Sequence, residues 1–340
     1  MHKSHQVGSQ PSPGRLPDSF GLRPTPVVHY RVSGAKEYRP ALLYAWSFFI
    51  RGQERRCIGE STEVGFRKAR ASDIFETLME HLGQCRLCLR HAVLKNSHLL
   101  PKSIYKLLRT GRSSNPHSFV LTTRTGVRTS KQARQYLLCN ECEQRFSGRG
   151  EAWVVANCWR GMKKFRIQEI LAGSEPLMAN EDLKVYAGAS IPGLDMAKLV
   201  YFGSSVFWRA SICHWKIMGD QIYINLGPYS ELLRLFLLDS APFPRNMVLH
   251  IGVSSLTTQA LDLALFPRSS RTKTGIRRHR FIVPGIYFTL LVGNQITDSE
   301  RLLCAAQSPE SRISIWKQTD AELISGSARK ILGLGRRLRY

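Results

Sequence analysis

Four cysteines stand in two C-x-x-C pairs, Cys85 with Cys88 and Cys139 with Cys142, and 50 residues separate the pairs. Each pair presents two thiolates from one tight knuckle. Together they supply the four soft ligands that tetrahedral zinc takes. An iron–sulfur cluster uses the same four thiolates and is the lesser alternative. The local order (a knuckle, then a strand, then a pair that opens a helix) favours structural zinc. Cys57, Cys158, Cys213 and Cys304 are scattered. The start, MHKSHQVGSQPSPG, carries no apolar leader segment, and the apolar run Ala41–Ile50 is about half of a membrane span. The expected setting is a reducing cytoplasm, without a membrane, where paired cysteines hold metal rather than form disulfides.

Between the pairs lies His98, in the stretch KNSHLLPK. A lone histidine is ordinarily a hydrogen-bonded structural residue. Its place between two knuckles, just ahead of Leu-Leu-Pro, favours a catalytic reading over that one. Glu143 follows the last cysteine, and Glu151 lies about two turns further on. Read by itself, Glu143 is a helix-start charge matched to the dipole.

The elements that must position these groups are short. Arg134–Cys139 reads as a strand, and Glu141 to Arg149 as the opening of a helix. Lys102–Leu108 reads as a helix after Pro101, and Phe119–Thr129 as a hairpin around Gly126. Upstream, residues 1–40 read as a disordered basic extension rich in Pro, Gly, Ser, His and Arg. Residues 41–84 are poorly defined, with one helical pattern over Ala71–Leu82 and Met79 as an alternative start. Downstream, residues 152–340 read as a larger α+β domain. Asp195–Cys213 has a strong helical pattern, with Leu199, Phe202, Val206, Phe207 and Ala210 on one face. Phe202, Phe207 and Trp208 are read as core rather than as a base-stacking platform. Tyr229–Leu238 is a second helix. Met247–Val253 and Arg280–Val292 are strands, with a basic loop, Ser269–Arg280, between them. ARKILGLGRRLRY forms a basic C-terminus.

The net charge is +24 and the pI about 10.1. Residues 85–150 hold 13 Lys and Arg against 2 Asp and Glu, a net +11 and the densest positive segment of the chain. The expected partner is nucleic acid. Candidate phosphate contacts are Lys102, Arg134, Arg145 and Arg149, with Arg271, Lys273, Arg277, Arg278 and Arg280 in the basic loop. His91 and His117 are read as surface residues.

CRLC, SHLLPKSIYK and YLLCNECEQRF, taken together, resemble the HNH, or ββα-metal, nuclease family, over residues 85–151, about a fifth of the chain. The narrower likeness is to a group of uncharacterised bacterial HNH-like proteins. LVYFGSSVFWRAS and LGPYSELLRLFLL are similar to that group's C-terminal region. The resemblance implies a treble-clef zinc scaffold. It also implies that His98 is the base activating water, with Mg2+ or Mn2+ steadying the scissile phosphate. The family's acidic or histidine ligand before that base is Ser97 here. Its middle asparagine falls near Arg134. Its final histidine falls on Glu143, a carboxylate able to substitute as a magnesium ligand, with Glu151 as a second. These expectations make the chain a metal-dependent DNA endonuclease in a defence or mobile-element setting. A zinc module that binds nucleic acid without cutting it, or an interaction protein that uses the fold as scaffold, is the competing reading.

Overall fold

The structure, a computed structural model, describes residues 81–108, 118–121, 126–129, 131–158, 165–255 and 264–316. The expectations for residues 1–80, for His117 and for the basic C-terminus lie outside these. All described residues belong to one compact unit, residues 68–340.

The strands are β1 (Leu82–Gln84), β2 (His91–His98), β3 (Ser118–Leu121), β4 (Gly126–Thr129), β5 (Arg134–Cys139), β6 (Met178–Ala179), β7 (Leu183–Ala187), β8 (Trp215–Ile217), β9 (Asp220–Ile222), β10 (Met247–Ser254), β11 (Ala264–Arg271), β12 (Arg277–Val283), β13 (Ile286–Val292) and β14 (Arg312–Trp316). The α-helices are α1 (Lys102–Leu107), α2 (Asn140–Phe146), α3 (Ala152–Asn157), α4 (Arg166–Ala172), α5 (Met196–Ile212), α6 (Tyr229–Leu237) and α7 (Asp298–Arg301). The chain is therefore mixed α+β. A small antiparallel sheet, β1-β2-β5, carries the cysteine pairs. A nine-stranded sheet runs β4-β3-β11-β12-β13-β10-β14-β7-β6, and β8 with β9 forms a two-stranded ribbon.

The spacer between the cysteine pairs ties the two larger sheets together. Its hairpin, β3–β4, forms one edge of the nine-stranded sheet, where β3 runs parallel to β11 with Val120 opposite Ala264. Residues on both sides of position 151 thus share one core.

Helix α5 lies at the centre of that core. Asp195 caps its start by accepting a hydrogen bond from the Lys198 amide at 3.0 Å. Leu199, Phe202, Val206, Phe207 and Ala210 are fully buried, and Trp208 nearly so. Phe202 and Phe207 pack edge-on against Phe281 of β12. Gly203 makes this approach possible, since a Cβ there would meet the Phe288 ring at 2.7 Å. Gly150 does the same on the other side of α5, where a Cβ would meet Lys198 O and Phe202 at 3.0 Å. Gly150 sits in a π-helical turn, Ser147–Glu151, that joins α2 to α3. Such widened turns redirect the side chains that follow and are frequent at functional sites.

Three expectations are corrected. Ser269–Arg280 is not a loop: its ends belong to β11 and β12, which pair antiparallel, with a turn at residues 272–276. The charges obscured a period of two, in which buried His279 and Phe281 alternate with Arg278 and Arg280. Arg280–Val292 is not one strand either, because Pro284-Gly285 turns the chain and Gly285 takes φ +79°. Leu82, expected to end a helix, starts β1 and pairs with Val93.

Candidate metal centre and adjoining cleft

Cys85 and Cys88 come from the turn after β1, closed by Leu89 N–H to Cys85 O at 2.8 Å, with Leu89 at φ +62°. Cys139 ends β5 and Cys142 lies in the first turn of α2. The four Sγ atoms lie within 4.8 Å of one another, and Cys85, Cys139 and Cys142 are buried. The fold therefore brings together all four cysteines singled out from the sequence, close enough to hold one metal ion. Their crowding favours thiolate at Cys85 and opposes it at Cys142, while burial opposes it at Cys139. A hydrogen bond from Cys142 pulls Cys85 down to about 4, against the opposing effect of burial. The same contact, joined by burial, pushes Cys142 up.

His98 ends β2 directly opposite Arg134 of β5. It lines an open cleft of about 480 Å3 together with Lys102, Lys106, Glu143, Glu151 and Arg209. Two polar atoms in this group are buried and have no hydrogen-bond partner, His98 Nε2 and Glu143 Oε1. Burial first, then the charges of Arg134, Arg209 and Lys102, hold the imidazole pKa below its ordinary 6.5, and the nearby Gln132 side chain pulls the other way. The imidazole is therefore neutral, with a free nitrogen, at physiological pH. Burial pushes the Glu143 carboxyl up, while the Ser97 hydroxyl and Arg209 oppose the rise.

Arg209 also lines this cleft, and sequence reasoning missed it. It lies on α5, only 1% exposed. Its Nη1 donates to His98 O at 2.8 Å and its Nη2 to Glu151 Oε1 at 2.6 Å. Ser205 accepts two further bonds, at its carbonyl and its hydroxyl, and the guanidinium lies 5.1 Å from the centroid of the Phe146 ring. One buried cation thus fixes the end of β2 and the end of the π turn relative to each other. The available signal was a single arginine within a largely apolar stretch of the helix, four residues after Ser205.

The other candidate phosphate contacts separate into distinct places. Arg145 and Arg149 line a different cleft, next to Cys88 and Cys142, with Arg90 and Glu141. Both bond to the Asp239 carboxylate, Arg145 at 2.9 Å. Arg90 bonds to Glu141. Within the β11–β12 hairpin, Arg278 faces Ser270 and Arg280 faces Arg268 across the strands. These side chains alternate with Phe281, so they lie on the sheet face away from α5. Arg280 is held down at about 10 by burial, then by Arg278 and Arg268. Arg271 donates to Gly275 O and Lys273 lies in the turn, while Arg271 and Arg277 pair on the face toward α5.

Comparison with protein-family models, with curated proteins and with solved structures returns no match. Among the described residues, no helix is long and apolar enough to cross a membrane.

Proposed function

We propose that this chain is a nuclease of the HNH, ββα-metal type, which hydrolyses DNA phosphodiester bonds on a treble-clef scaffold holding one zinc ion in a reducing cytoplasm. The observation that carries the reading is the buried, unpartnered Nε2 of a neutral His98, set in an open cleft with Glu143 and a ring of cations.

In this reading His98 Nε2 removes a proton from a water molecule, whose oxygen attacks phosphorus in line with the departing oxygen. The bond from phosphorus to that oxygen breaks, and solvent returns its proton. Lys102 and Arg134 attract the phosphate, and Arg209 holds His98 in place through its carbonyl. A carboxylate oxygen without a hydrogen-bond partner, lining the same cleft as the imidazole, fits a hard divalent ion that takes its remaining ligands from water and phosphate. Glu143 is the residue that would hold Mg2+ or Mn2+, which when bound supplies positive charge against the developing negative charge.

A second reading, a zinc module that binds nucleic acid without cutting it, is favoured by one contact. Glu151, the second candidate ligand, is already bonded to Arg209. Cleavage of plasmid DNA with Mg2+ or Mn2+ separates the two. In the nuclease reading His98→Ala loses about 10²- to 10⁴-fold in rate while keeping metal, fold and DNA binding. Activity rises with pH as the imidazole loses its proton. Because the folded pKa is lowered, this limb lies below pH 6.5 and vanishes in His98→Ala. Tight binding with no cleavage under either ion leaves the second reading.

A further inference from the structure

We infer that the β8–β9 ribbon forms the second wall of a nucleic-acid groove, so that a phosphodiester strand crosses His98 from Lys102 and Lys106 to Lys131, Arg134 and Lys216. The inference rests on the nucleic-acid part of the reading above and adds a binding surface from beyond position 151.

A cleft of about 630 Å3 lies next to the His98 cleft, lined by Lys131, Gln132 and Arg134 on one side and by Lys216, Met218 and Gln221 of the ribbon on the other. The two clefts share no described lining residue and are linked through Gln132. Gln132 lines the first and reaches the imidazole that lines the second. Arg134 donates to Gln132 Oε1 at 3.0 Å and stands opposite His98 in the strand register.

The ribbon is anchored rather than loosely attached. Trp215 is fully buried and its indole N–H donates to Arg209 O at 2.8 Å. The residue that fixes the end of β2 therefore also fixes the start of β8. Met218 and Gly219 both take positive φ, the two-residue turn that suits a twisted hairpin. Thr129 donates to Met218 Sδ at 3.6 Å and accepts from the Lys131 amide at 3.0 Å, which joins the two walls at their rim.

Charge identifies the occupant. Lys102, Lys106, Lys131, Arg134 and Lys216 have no ion-pair partner among the described residues. Among the described residues, no carboxylate lines the Lys131–Lys216 cleft. An extended run of uncompensated cations matches a polyanion, and the amides of Gln132 and Gln221 can pair with sugar or base edges.

The test is binding of a labelled DNA oligonucleotide, duplex and single-stranded, to the zinc-loaded full chain without added Mg2+ or Mn2+, across a salt series. Lys131→Gln with Lys216→Gln should lower the slope of log affinity against log salt by about two units, one per lost contact. DNA should also protect Lys131 and Lys216 of the wild type from chemical acetylation, a readout that needs no variant to fold. Unchanged slope together with unprotected lysines overturns the groove. A protein that binds DNA through these lysines but never cuts it overturns only the nuclease reading. A wild-type chain that binds neither form of DNA overturns both.

Discussion

Two basic surfaces flank helix α2, and they differ in where their counter-charges come from. On the metal side, Arg145 and Arg149 share Asp239, and Arg90 takes Glu141. On the His98 side, Lys102, Lys106, Lys131, Arg134 and Lys216 have no such partner among the described residues, and the one cation that is paired, Arg209, is buried. Both surfaces draw most of their positive charge from residues 85–150. What separates them is the carboxylate delivered by a distant segment, since Asp239 follows α6. A charge count along the chain locates a basic region, but only the fold shows which of its charges remain available to phosphate.

The most severe way to break the comparison is to remove the scaffold that both surfaces share. Cys139→Ser takes away one of four metal ligands and leaves three crowded thiols. Metal analysis should fall from about one ion per chain to none. Cooperative folding of the β1-β2-β5 sheet should go with it, because metal-binding free energy in such sites, on the order of 10 kcal/mol, is folding free energy. A metal-free variant that keeps a native spectrum would show that hydrophobic packing alone holds both surfaces in place.

A narrower break acts on the His98 side only. Arg209→Met keeps an apolar stem of similar length but leaves Glu151 and the His98 carbonyl without their donor. Removing one partner of a buried pair costs roughly 3–5 kcal/mol. The expected outcome is a thermal shift of that size, with metal content retained and the Arg145, Arg149 and Asp239 cluster undisturbed. Arg209→Met with Glu151→Leu should recover much of the loss, since replacing a whole buried pair by apolar groups is often neutral. Failure of the double variant to recover stability would mean that the bond to His98 O, rather than the pair with Glu151, carries the cost.

These two residues also mark what the sequence could and could not reveal. The cysteine pairs were legible because knuckle geometry is local, and so were β5, α1 and α5, whose patterns lie within single segments. Arg209 was not legible as a site residue, because its partners, His98 and Glu151, lie far upstream and nothing local announces them. The β11–β12 hairpin was hidden for a different reason. Its arginines read as the phosphate contacts of a basic loop, whereas His279 and Phe281 between them are buried strand residues. The spacer between the cysteine pairs was recognisable as a hairpin, but its parallel pairing with β11 depends on a strand from the far end of the chain.

The smallest expected effect sharpens the comparison most directly, because it asks whether the metal side is silent only on account of Asp239. Asp239 is about half exposed, and exposed ion pairs are worth at most about 1 kcal/mol. Asp239→Asn should therefore leave folding nearly unchanged while freeing Arg145 and Arg149. If the difference between the surfaces is one of compensation, this variant should bind DNA more tightly at low salt, and its salt slope should steepen by about one to two units. Arg145→Gln with Arg149→Gln in the wild-type background should change the slope by well under one unit, since those cations are already spent on a carboxylate. The opposite pattern, no gain in Asp239→Asn and a loss of about two units in the double glutamine variant, would show that phosphate displaces Asp239 on binding. The metal-side cleft would then belong to the same nucleic-acid surface as the His98 groove.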